Sequence, residues 1–155
     1  MGEIMLKSVT HIGLTVSNIE TSIAFYRDVM GLKYIGSLTM EGKETDILFG
    51  RKNVKAKVAY LNAKDDVDGP SIELIQFVDE KIEHQNASLF RTSISEICFV
   101  TDDIEKDYER MKKSGVEFIS TPQPFDFTKD NFSKSKALYF KDPDGIILEL
   151  MEYEK

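Results

Sequence analysis

The sequence predicts an α/β fold of the α+β kind, built from two βαβββ modules in one chain. Three observations carry this. The chain repeats itself: Ile12 overlays Ile97, Ser17 overlays Asp102, Ile19 overlays Ile104 and Glu20 overlays Glu105, all at one offset of 85 residues. A repeat of that length is itself a fold signal. Each half switches in the same order between a period of two, which marks strands, and a period of 3.6, which marks helices. Each half also ends on an apolar run around a glutamate, SIELIQF from position 71 and IILELMEY from position 146.

Taken in order, residues 8–16 (SVTHIGLTV) alternate and are rich in β-branched side chains, which predicts a strand with His11, Gly13 and Thr15 on one face. Ser17 and Glu20 stand at capping-box spacing, so a helix is expected to begin at Ser17. Its apolar stripe is Ile19, Ile23, Tyr26 and Met30, and Gly31 ends it as a left-handed C-cap residue does. Residues 32–39 read as the second strand. Ile47, Leu48 and Phe49 are expected in a short helix ended by Gly50. Residues 54–62 (VKAKVAYLN) alternate as a strand, residues 64–69 read as a polar turn, and residues 71–77 close the first half. Residues 78–92 carry charge without period and read as a connection. His84 within it is expected to be a solvated histidine rather than a ligand.

The pattern then returns. Residues 93–100 (SISEICFV) predict a strand, and Asp102 with Glu105 repeats the capping-box spacing. Ile104, Tyr108 and Met111 make the helical stripe, and Gly115 stops it. Residues 116–120 are expected as a strand, 121–135 as a long loop, 137–140 as a strand and 146–153 as the last strand. Asp142-Pro143-Asp144-Gly145 is the turn between those two, with Pro fixing one φ and Gly supplying a conformation that other residues resist.

A chain of 155 residues is one domain by length, here 1–155 made of modules 1–80 and 90–155. The net charge of −7 argues against nucleic acid and anionic membranes, where a basic face supplies the affinity. One cysteine, Cys98, cannot make an internal disulfide, which suits a reducing compartment. No signal-peptide pattern opens the sequence and no run reaches transmembrane length. These features predict a cytoplasmic protein.

A carboxylate inside an apolar strand needs an explanation, because burying it unpaired costs several kcal/mol or more. The repeat offset places His11 over Glu96, and Glu73 matches Glu149. Four potential ligands thus fall at equivalent points of the two modules. If the modules pair edge to edge into one curved mixed sheet, their side chains converge in its cleft. Taken singly, a strand glutamate is most often solvent-facing. Taken together, crowded carboxylates raise one another's pKa unless a cation sits among them. Cys98 shares the expected strand face with Glu96; of its two roles, lining the cleft or serving as a small buried hydrophobe, the second is the expected one. Phe125, Phe127 and Phe132 are either a substrate lid or a loop tucking its aromatics onto the core.

The motifs THIGLTVSNIETSIAFYRDVMGL, SIELIQF, EICFVTDDIEKDYERMKKSGVEF and YFKDPDGIILELME cover nearly the whole chain. Together they resemble the vicinal oxygen chelate superfamily, the glyoxalase, bleomycin-resistance protein and dioxygenase group, and within it the glyoxalase-like and methylmalonyl-CoA-epimerase-like members. The resemblance implies paired βαβββ modules around one divalent metal ion, with His11, Glu73, Glu96 and Glu149 as its ligands. It departs from the family at Glu96, where metal-binding members commonly carry histidine. The oxygen-rich set suits Mg, Mn or Ca, and the retained histidine keeps Zn, Ni, Co and Fe open. The resemblance further implies a lyase or isomerase that moves a proton next to a substrate carbonyl, with Glu149 and Glu73 as candidate bases, acting on a small-molecule substrate. The alternative is a metal-free small-molecule binding protein of the bleomycin-resistance type. Relatives assemble within a chain or by exchange between chains, so a homodimer stays open.

Overall fold

The computed structural model describes residues 8–63 and 70–154. Its chain divides into two compact units, Met1–Glu83 and His84–Lys155. The expected polar turn at 64–69 lies outside the described residues.

The first unit runs β1 (His11–Thr15), α1 (Ile19–Ala24), β2 (Lys33–Glu41), α2 (Lys43–Phe49), β3 (Lys55–Asn62) and β4 (Ser71–Phe77). Its strands form one mixed sheet in the order β1-β4-β3-β2, with β1 parallel to β4 and the other pairs antiparallel. The second unit runs β5 (Ile97–Val100), α3 (Ile104–Lys113), β6 (Gln123–Asp126), β7 (Lys134–Lys141) and β8 (Ile147–Tyr153). Its sheet has the same design, β5-β8-β7-β6, with β5 parallel to β8.

The two faces of each sheet do different work. On β4, Ile72 and Leu74 are buried, and Gln76, on the same face, accepts the Ile19 N–H at 2.9 Å. On β8, Leu148 and Leu150 are buried, and Glu152 accepts the Ile104 N–H at 2.8 Å. Even-numbered positions therefore face the helix, and each aliphatic side chain buried there contributes about 1.5–3 kcal/mol. Odd-numbered positions, Glu73 and Glu149 among them, point to the opposite face.

Those caps from the last strand of each unit correct the expected helix starts. Both helices begin one residue later than the capping-box spacing suggests. Asn18 accepts from the Thr21 N–H and Asp103 from the Lys106 N–H, each at 3.0 Å. The N–H of the first helical residue, Ile19 or Ile104, is taken by the side chain from the last strand of the same unit, which settles the start. Helix α1 runs on into a π-helical stretch, Phe25–Val29, where the Met30 N–H bonds the Phe25 carbonyl. The widened turn lets two neighbouring side chains, Phe25 and Tyr26, both be buried. Gly31, Gly50 and Gly115 all have positive φ, as their stop positions require.

Three expected segments, two strands and a loop, change. Residue Glu96 precedes β5 rather than lying within it. Residues 116–120 make only an isolated bridge, Phe118 to Phe140. The expected loop at 121–135 contains β6, an edge strand whose side chains are all exposed. Pro124 fits there because an edge strand has one side whose N–H groups need no partner. His84 is exposed, as expected of a solvated connection.

Within α3, Asp107 is partly desolvated, which raises its carboxyl. That effect is outweighed by hydrogen bonds from Thr101 at 2.6 Å and Arg110 at 2.8 Å, with the Lys106 charge nearby, and the net shift is downward. A carboxyl lowered on folding adds stability above its unfolded pKa of about 3.9, and that stability is lost as pH falls through the folded value. Asp107→Asn is therefore expected to lower stability by about 1 kcal/mol at neutral pH. The gap to wild type should close below about pH 4, which urea melts at a series of pH values would read.

Candidate functional site

Each sheet carries a glutamate on the face away from its helix. Glu73 is 9% exposed and Glu149 is 8% exposed. Both were legible as carboxylates in apolar runs, and both need partners to be held there.

In the first unit, β3 places Tyr60 directly across from Glu73, and the Tyr60 hydroxyl donates to Glu73 Oε1 at 2.5 Å. Burial, then this carboxylate, pushes the Tyr60 phenol up to about 12, so it stays a donor. His11 Nε2 lies 3.3 Å from the other oxygen, Glu73 Oε2. The His11 and Tyr60 rings meet edge to face at 6.0 Å. Gly13, opposite Glu73 in the parallel register, leaves room for the carboxylate: a Cβ there would stand 3.2 Å from Glu73 Oε2.

In the second unit, β7 places Tyr139 across from Glu149, repeating the tyrosine-glutamate pair. Opposite Glu149 in the parallel register stands Cys98, where the first unit has Gly13. Cys98 is exposed, which corrects the expectation of a buried hydrophobe and follows from its place on the glutamate face. Its sulfur is nevertheless close enough to the sheet for desolvation, aided by Glu149, to push the thiol up to about 12. It therefore faces the carboxylate as an S–H donor, not as a thiolate. Burial raises the Glu149 carboxyl, the Cys98 contact lowers it, and the charge of Glu96 raises it again, with a net rise.

The structure thus brings His11 together with Glu73, and sets Glu96 and Cys98 within electrostatic reach of Glu149. Among the described residues, neither unit by itself gathers three or more His, Cys, Asp or Glu side chains into a group that could hold a metal. The His11–Glu73 pair nonetheless has the chemistry of half a metal site. Bonds of about 2.1 Å put neighbouring donor atoms of one coordination shell about 3.0–3.4 Å apart. The observed 3.3 Å falls in that range. Tyr60 fixes the carboxylate through the oxygen that His11 does not approach, as an outer-shell partner does. Sequence reading missed Tyr60, Tyr139 and Gly13. The signal for the tyrosines is their matched place in the strand before each glutamate run.

Residues 8–150 match the model of the Glyoxalase/Bleomycin resistance protein/Dioxygenase superfamily. An uncharacterized protein of Bacillus subtilis is 27% identical over 96% of this chain and 99% of its own length. The metallothiol transferase FosB of Lysinibacillus sphaericus is 29% identical over 90% of this chain and 78% of its own. Among solved structures, a glyoxalase family protein from Bacillus cereus superposes with a TM-score of 0.83 at 20% identity, covering 100% of this chain and 99% of that one.

Proposed function

This chain belongs to the glyoxalase/bleomycin resistance protein/dioxygenase superfamily, and from that premise we propose a divalent-metal-dependent lyase or isomerase. It moves a proton next to the carbonyl of a small-molecule substrate. The proposed ligands are His11 and Glu73 from the first unit and Glu96 and Glu149 from the second. The observation that carries the reading is Glu73, buried in an apolar strand and flanked on its two oxygens by Tyr60 and by the His11 imidazole. A bound dication would supply Lewis-acid polarisation of the carbonyl.

The chain's own residues do the rest. Glu149 is the stronger candidate base, because burial raises its carboxyl and so its affinity for a proton. It takes the proton from the carbon beside the carbonyl and returns it at the neighbouring position. Cys98 donates to the carboxylate from one adjacent strand, and Tyr139 stands across from it on the other. Glu73, fixed by Tyr60, is the second candidate base.

A second reading rests on the FosB relatives, whose name is metallothiol transferase. It is a metal-dependent transfer that joins a thiol to a small molecule. Both readings need the metal, so metal analysis comes first. Protein purified and then reloaded separately with Zn, Ni, Co, Mn, Fe and Mg is expected to retain about one dication per chain with at least one of them. His11→Ala should retain little. Failure to retain any of the six would overturn both readings and favour a metal-free binding protein. Proton exchange at a substrate carbon, against loss of a free thiol, then separates isomerase from transferase.

A further inference from the structure

The geometry points to a ligand pocket for an aromatic cation, lying wholly within the second unit. A cavity of about 640 Å³ opens between the turn after β6 and the ends of β7 and β8. That is within the ~300–1,000 Å³ of small-molecule sites. Phe127, Phe132, Tyr153 and Met151 give it an apolar lining, and Asp130 is the charged group among its lining residues.

Three observations set the ligand's class. Phe127, Phe132 and Tyr153 are 47%, 73% and 51% exposed, so these rings are not tucked onto the core. Phe125 stacks nearly parallel on Phe127, with centroids 5.5 Å apart, which stiffens one wall from outside. No lysine, arginine or histidine lines the cavity, so its donors, on Asn131, Ser133 and Ser135, are neutral and no positive charge offsets Asp130 to hold a phosphate or carboxylate. Aromatic faces beside a carboxylate attract a flat, positively charged molecule through stacking, ring quadrupole and ion pairing together. The pocket also shares a sheet face with the buried glutamate. Met151 and Tyr153 are the next two odd-numbered positions after Glu149, about 7 and 13 Å along the strand. A ligand held here can extend toward that carboxylate.

The test is fluorescence titration with two dyes in the presence of EDTA, which keeps the result independent of the metal reading. Thioflavin T is a flat cation, and 1-anilinonaphthalene-8-sulfonate is an aromatic anion. Thioflavin T is expected to bind saturably, at least about tenfold tighter than the anion. Phe132→Ala, at a position exposed enough to leave the core intact, should weaken thioflavin T about tenfold. Asp130→Asn should weaken it about fivefold and narrow the gap between the dyes. Melting curves of each variant confirm that it is folded. Equal affinity for the two dyes, or unchanged thioflavin T binding in both variants, would overturn the proposal.

Discussion

Asp142→Ala is expected to lower the stability of the folded chain by about 3 kcal/mol, and Asp142→Asn to restore most of it. Asp142 is buried, and its Oδ1 accepts two backbone N–H groups, from Asp144 at 2.9 Å and from Ile146 at 2.8 Å. Its own N–H bonds the Ile146 carbonyl at 3.0 Å, and Gly145 closes the turn with φ of 80°. A hydrogen bond to a charged acceptor is worth about 1.5–3 kcal/mol, and alanine removes both while orphaning the donors. Asparagine keeps the oxygen and loses the charge. In a chain of this length the alanine loss corresponds to roughly 6–12 °C in Tm. The turn also sets the register in which Lys141 faces Ile147 and Tyr139 faces Glu149, so the alanine variant should disturb the glutamate face as well. Thermal melts of the two variants decide it. If both fall equally, the side-chain oxygen is not what holds the turn.

That turn was readable because Pro and Gly act locally. So was β4, whose observed span, Ser71–Phe77, is the one expected, because a Gly-Pro pair precedes its apolar run and charge without period follows it. What escaped the sequence depends on distant partners. Helix α1 starts after Asn18 because Gln76, fifty-seven residues on, takes its first free N–H. The strand β6 has no buried face, so no period in the sequence can announce it; pairing with β7 makes it. The site divides the same way. Glu73 and Glu149 stand out as carboxylates in apolar runs. Tyr60 and Gly13 become meaningful only through cross-strand register, which a sequence does not display. Cys98 was expected inside because free cysteines usually are, yet register with Glu149 puts it on the open face.

Glu149→Gln is expected to keep the fold and to lower turnover on a carbonyl substrate by about 10²–10⁴-fold, since the amide cannot accept a proton. The stability effect should change sign with the metal. Burial and the charge of Glu96 both raise the Glu149 carboxyl, so the charged form is the one disfavoured in the folded protein. A carboxyl raised on folding subtracts stability above its unfolded pKa, and neutral pH lies on that side. With chelator present, the glutamine variant should therefore melt at the wild-type temperature or above it. With the metal that wild type retains, the order should reverse. A ligand that binds only the folded state adds about 4 kcal/mol at a thousandfold excess over Kd, and a variant with weakened affinity forfeits part of this. The measurement is four melting curves, wild type and variant, each with EDTA and with metal. The same shift between variant and wild type in both conditions would mean that Glu149 does not hold the metal. The proposed ligand set would then fail at its most buried member, whatever the turnover shows.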